Sequence, residues 1–330
     1  MTTIAIIGSG IAGQTLIYTL AKEGKKFEKI LVFDSDAFAP TCSLRSTAIV
    51  AGRGVSTGHS DLGDLLFASF KSFLIHANQD KPEGVFRIKQ YTGAKTKLEA
   101  FQKRYPDGTF TSKLDFLSLR QEYYLSSEDA YLIHPSTYLS WLRSYDPSEV
   151  QRINSFVTLV EKQDDGLLIQ TVDHHEFKAD KVIFCGGNYN RYWKGLSSSK
   201  KLQSSSAVHG SYMEFDAHLN CPSFSLTLEG NNLIYNQQFQ KLILGSTTEN
   251  SSLQLPMIKE LKAIYDFFKN EVDLDLPSFE LGKMIVGLRE RASKRTPYLF
   301  EEEGLFFFGG LYKNGYSLPI HMCKDLVMML

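Results

Sequence analysis

Three glycines, Gly8, Gly10 and Gly13, stand in the opening stretch IAIIGSGIAG with a G-x-G-x-x-G spacing. A loop of this kind brings backbone N–H groups up to a pyrophosphate at a helix N-terminus. Gly8 permits the tight turn, Gly10 leaves room for the phosphates, and Gly13 lets helix and strand pack closely. Ser9, Ile11 and Ala12 complete the candidate cradle. Asp34, with Ser35 beside it, could accept hydrogen bonds from adenosine ribose hydroxyls and would repel a 2′-phosphate. Far down the chain, GLRERASKRTP carries Arg289, whose planar guanidinium can hold a carboxylate through two parallel hydrogen bonds. The plainer reading of Arg289 is an ion pair with Glu290 or another neighbour. Arg291, Lys294 and Arg295 read as solvated surface charges, and Cys323 as an inert core thiol.

These groups need elements to position them. The continuous apolar run Ile4 to Ile7 predicts a strand buried on both faces. An apolar stripe at Ile11, Leu16, Ile17 and Leu20 predicts a helix over 11–23, capped by Gly24. A second strand at 30–33 ends on Asp34 and completes a βαβ unit. Regular alternation then stops at TCSLRSTAIVAGRGV, and helical patterning resumes near Leu62. FKADKVIFCGGNYN predicts a buried strand broken at Gly186 and Gly187. GLFFFGGLYKNGYSLPI predicts another, broken at Gly309 and Gly310, with a helix starting after Asn314 and Gly315.

Composition narrows the class. The chain has 330 residues, enough for two domains, with 43% hydrophobic and 22% charged residues. A formal net charge of -1 argues against a nucleic-acid partner. No run reaches the ~18 apolar residues of a membrane helix, and the first apolar stretch lacks the basic flank of a signal peptide. The four cysteines are scattered, which favours reduced thiols in a cytoplasmic protein over disulfides or a metal site.

In the order and spacing of these motifs the chain resembles the D-amino-acid oxidase and glycine oxidase superfamily of FAD-dependent oxidoreductases. The resemblance spans nearly the full length. It implies FAD as cofactor and an α/β fold: a Rossmann-like FAD-binding domain with an interleaved antiparallel-sheet substrate domain. Residues 1–75, 131–205 and 285–330 would form the first, and 76–130 and 206–284 the second. The stretch 43–53 resembles the family's Ser/Thr-rich FAD loop, which puts Arg45, Ser46 and Thr47 near the pyrophosphate. Val157 matches the position whose backbone contacts adenine. ADKVIFCGG resembles a family strand that ends at the cofactor, here with Gly186 and Gly187, although Cys185 and the Gly-Gly-Asn ending depart from the usual pattern. GLRERASKRTP resembles the segment whose arginine, Arg289 here, holds an amino acid's α-carboxylate. The closing turn, with Gly310, Lys313, Asn314, Gly315 and Tyr316, resembles the one leading into a helix aimed at the flavin pyrimidine ring. Tyr235, on a strand before Gly245, and Arg53, just after the FAD loop, complete the candidate catalytic set with Arg289.

The implied activity is oxidation of the C–N bond of a small-molecule amino acid or secondary amine, giving an imine that water hydrolyses. Two alternatives are flavin-dependent modification of a tRNA wobble uridine and a catalytically idle flavoprotein serving as a binding partner.

Overall fold

A computed structural model describes residues 2–35, 41–52, 55, 57–250 and 255–330. Its centre is a six-stranded sheet in the order Tyr298–Glu302, Leu305–Gly309, Lys181–Phe184, Thr3–Ile7, Lys29–Asp34, Val150–Asn154. All neighbours are parallel except the hairpin formed by the first two. The sequences IAII, ILVF, KVIF and LFFF run apolar without alternation because both faces of this sheet are covered. Helices Ile11–Lys22 and Leu318–Met329 cover one face. The antiparallel strands Val157–Gln163, Gly166–Thr171 and Glu176–Ala179 cover the other. The first helix ends as expected: Gly24 takes φ +64°, and Lys25 N donates to Leu20 O at 3.0 Å.

A second, larger sheet runs Lys283–Arg291, Ser206–Asp216, Lys241–Gly245, Asn231–Asn236, Phe224–Leu228, Val85–Ala94, Leu117–Ile133, Ile49–Ala51. Its pairs are antiparallel except Phe224–Leu228 against Val85–Ala94. Strand alternation splits its side chains between two faces. One packs beneath helix Ile258–Glu271 in a core that includes Leu226, Leu233 and Tyr235. The opposite face carries Ile88, Ala130, Leu132, Tyr212, Ile234 and Ile243. The mixed α/β class with parallel and antiparallel sheets is the one expected from the sequence.

Three of the expected cut points, after 75, 130 and 284, fall inside continuous elements: helix Asp61–Gln79 and strands Leu117–Ile133 and Lys283–Arg291. At the end of helix Asp61–Gln79, Asp80 ties the helical layer together. It accepts from Tyr18 Oη at 2.6 Å, from Lys22 Nζ, and from His76 Nδ1 at 2.9 Å. His76 Nε2 meets Tyr138 Oη at 2.9 Å, on helix Pro135–Arg143. Burial pulls the His76 pKa down, so a neutral ring donates from Nδ1 and accepts at Nε2.

Candidate active site

Between the two sheets lies a cavity of about 380 Å³. Loops at the C-terminal ends of the parallel strands open onto it, where open α/β sheets bind ligands. The loop after Thr3–Ile7 turns at Gly8, which takes φ +104°. A Cβ there would lie 2.7 Å from Cys185 O and Gly186 Cα, so only glycine lets the two loops approach. Gly13 has no such freedom either, because a Cβ would lie 2.1 Å from Gly8 O. Gly10 differs. Its Cβ would face Ser43 Oγ at 3.1 Å and Thr41 Cγ2 at 3.5 Å, filling the cradle without striking the backbone. The fold therefore accepts a Cβ at Gly10, and the space in front of it fits a pyrophosphate.

Gly8, Gly10, Ile11 and Ala12 line this cavity, as do Asp34 and Ser35 at the end of the second strand. Arg45, Ser46, Thr47, Val157, Gly186 and Gly187 line it further along. Arg45 Nη1 also donates to Val286 O at 3.3 Å, fastening this loop to the large sheet. Gly310, Lys313, Asn314, Gly315 and Tyr316 close the far end. Tyr316 donates to Ser43 O at 2.6 Å, and burial pushes its phenol well up. The last helix begins at Leu318, two residues later than the glycine suggested. Asn314 O accepts from Ser317 N and Leu318 N, so residues 311–317 form a turn at the cavity wall before the helix starts.

Arg289 lies across Gly210, where a Cβ would come within 2.3 Å of Nη2. Its Nη1 is buried and has no hydrogen-bond partner among the described residues. On the same lining, Gln90 Oε1 is likewise buried without a partner among them. A buried donor and a buried acceptor left open are costly unless a ligand engages them. Burial, and then the guanidinia of Arg289 and Arg295, lower the pKa of Lys313. Burial also raises the Cys42 thiol, against the pull of Arg289 and Arg45. This end of the cavity is thus rich in positive charge.

Two expectations and one alternative reading need correction. Tyr235 does not reach the cavity: it is 1% exposed, packs against Phe224, and bonds Leu219 N and O at 3.1 Å. Asn232 and Ile234 face the cavity, so strand alternation turns Tyr235 to the opposite face. Ser9 is 2% exposed and turned away, its hydroxyl accepting from Gln14 Nε2, from Arg143 Nη2 at 3.3 Å and from Arg152 Nη1 at 3.1 Å. Glu290 is not a surface partner of Arg289. It is 3% exposed, and its carboxylate accepts from Tyr298 Oη at 2.7 Å and from Gly310 N at 2.9 Å. Asn190 Nδ2 donates to Tyr298 Oη and to Phe308 O, both at 3.1 Å, while Asn190 Oδ1 accepts from Gly186 N at 2.8 Å. This buried network, unseen in the sequence, fixes both glycine loops at the cavity. Ser43, Gln90 and Tyr312 also line it without having been singled out. Arg53 lies outside the described residues.

A glycine loop at a helix N-terminus, an acidic residue ending the second strand and an antiparallel sheet roofing the cleft define a dinucleotide-dependent α/β enzyme. The chain matches the FAD dependent oxidoreductase family, of the D-amino-acid oxidase type, over residues 3–327. It belongs to that family, and FAD is its cofactor. Comparison with curated protein sequences gives no match. Among solved structures, the fold is similar to glycine oxidase from Geobacillus kaustophilus, with a TM-score of 0.80, 16% identity, and coverage of 100% of this chain and 95% of that one. FAD-bound L-alpha-glycerophosphate oxidase from Mycoplasma pneumoniae gives a TM-score of 0.79, 18% identity, and 100% and 95% coverage. Iminodiacetate oxidase from Chelativorans sp. BNC1 gives 0.74, 17%, and 99% and 95%. No helix among the described residues is long and apolar enough to cross a membrane.

Proposed function

We propose that this FAD-dependent oxidoreductase oxidises the C–N bond of a small amino acid or secondary amine that bears a carboxylate. The observation that carries this reading is the open Arg289 Nη1 in the cavity wall. A carboxylate would engage its fork, and Gln90 Oε1 supplies an acceptor for an amine N–H. Bound FAD supplies the acceptor for a hydride leaving the carbon next to nitrogen, and water hydrolyses the resulting imine. Ile49 and Ile234 on the large sheet add apolar lining to the cavity, which strengthens a charged contact there by excluding water. Similarity to proteins described as glycine oxidase and iminodiacetate oxidase supports an amino-acid-like substrate.

The test is Arg289→Ala and Arg289→Lys in the FAD-loaded enzyme. A charged hydrogen bond contributes roughly 1.5–3 kcal/mol, so the alanine variant should lose about 10–100-fold in kcat/KM. The lysine variant should recover part of this, because an ammonium lacks the planar fork. Benzoate should perturb the wild-type flavin spectrum and do so more weakly in both variants, at unchanged FAD content. Undiminished benzoate binding in Arg289→Ala would remove the carboxylate assignment.

A further inference from the structure

We infer that the substrate carries a second anionic group, received by a groove formed by Ser204, Ser206, Arg291, Ser293, Lys294 and Arg295. This rests on the reading of Arg289 as the first carboxylate's partner. The groove has a volume of about 290 Å³, and three cationic residues and three serines line it. Among the described residues, no carboxylate lies within ion-pair distance of Arg291, Lys294 or Arg295. Arg291 Nη2 donates to Ser206 Oγ at 3.3 Å. Three uncompensated cations at one place repel each other, and an anion between them relieves that repulsion.

The groove adjoins the cavity. Ala292 forms part of its wall, and a Cβ at Gly310, on the cavity side, would meet Ala292 Cβ at 2.8 Å. Tyr312 lines the cavity, with the Arg295 guanidinium 6.0 Å and the Lys313 ammonium 5.6 Å from its ring centre. Arg289 and Arg291 stand two residues apart on one strand and therefore on the same face, about 7 Å from each other. Lys294 and Arg295 take consecutive positive φ angles of +54° and +60°, a strained wall for residues with side chains. An arginine fork with serine hydroxyls suits a phosphate or a second carboxylate. The substrate this defines is an amine with anions at both ends, longer than a simple amino acid.

The experiment is spectral titration of the FAD-loaded enzyme with acetate, succinate, phosphonoacetate and a short RNA. Succinate or phosphonoacetate should bind at least about tenfold more tightly than acetate. In the double variant Arg291→Gln, Lys294→Gln that advantage should vanish, while acetate affinity and FAD content stay within twofold. Raising salt should shrink the advantage. Acetate binding with no gain for either dianion overturns the groove alone. No response to acetate overturns the Arg289 reading instead. Displacement of acetate by RNA, with no gain for small dianions, overturns the small-molecule form of the inference.

Discussion

Tyr298→Phe removes one oxygen from the network that anchors the Gly310 loop, and the structure sets the size of the effect. Tyr298, Glu290 and Asn190 are 1%, 3% and 1% exposed, so water cannot replace the lost hydroxyl. The Glu290 carboxylate loses a 2.7 Å donor, a charged bond contributing about 1.5–3 kcal/mol. Asn190 Nδ2 keeps acceptors in Phe308 O at 3.1 Å and Phe184 O at 3.3 Å, so its share is small. The expected loss is about 2–3 kcal/mol near neutral pH. Burial already raises the Glu290 pKa above its ordinary 4.5, and losing the phenol raises it further. A carboxyl raised in the folded state contributes stability that is full below 4.5 and lost as pH climbs through the folded value. The variant should therefore approach wild type at pH 4, below the ordinary 4.5, and fall furthest behind at pH 8. Urea unfolding at both pH values, with FAD titration of the apoprotein, measures this. FAD affinity should drop too, since Glu290 holds Gly310 N at the cavity wall. A stability change under about 0.5 kcal/mol at both pH values, with unchanged FAD affinity, would refute the network's role.

The glycine loop offers a paired test by circular dichroism and FAD content. Gly10→Val should give a folded, colourless protein, whereas Gly13→Ala should fail to fold because its Cβ meets Gly8 O at 2.1 Å. Burial acts to raise the Asp80 carboxyl, but hydrogen bonds from Lys22, Tyr18 and His76 outweigh it and hold it at about 2. Its contribution is full above 3.8 and lost as pH falls through about 2. Asp80→Asn should cost about 1–2 kcal/mol at pH 7, and its Tm-against-pH curve should converge on wild type as pH falls through about 2; parallel curves would contradict this. Tyr235→Phe should lose about 0.5–1.5 kcal/mol of stability and leave kcat and the flavin spectrum unchanged; altered kcat would return Tyr235 to the site.

What could be read from the chain was whatever leaves a local mark. Gly8, Gly10 and Gly13 follow an apolar run and precede a 3.6-period stripe, so the βαβ unit and its cradle were legible. The face Tyr235 uses was not, because LIY is apolar at consecutive positions and both faces of that strand are covered. Glu290 sits in GLRERASKR, a stretch whose charge mimics a solvated surface. Its partners Tyr298 and Gly310, and Asn190 behind Tyr298, are assembled only by the fold. Gln90 gave no signal at all: a glutamine in KQYTG differs from a surface residue only by the cavity wall that the loops of the six-stranded sheet place opposite it.

The strand Lys283–Arg291 has a consequence for how such enzymes diversify. Consecutive residues on it serve different masters, Arg289 facing the ligand space and Glu290 bolting the cofactor loop at Gly310. Trading the large sheet for that of a relative would import a foreign bolt together with the new recognition surface. A chimera therefore has to carry the hairpin Tyr298–Gly309 with the strand, or it loses yellow colour before it gains a new substrate. Change confined to side chains on one face of the strand escapes this linkage, making point substitution a safer route to new specificity here than exchange of modules.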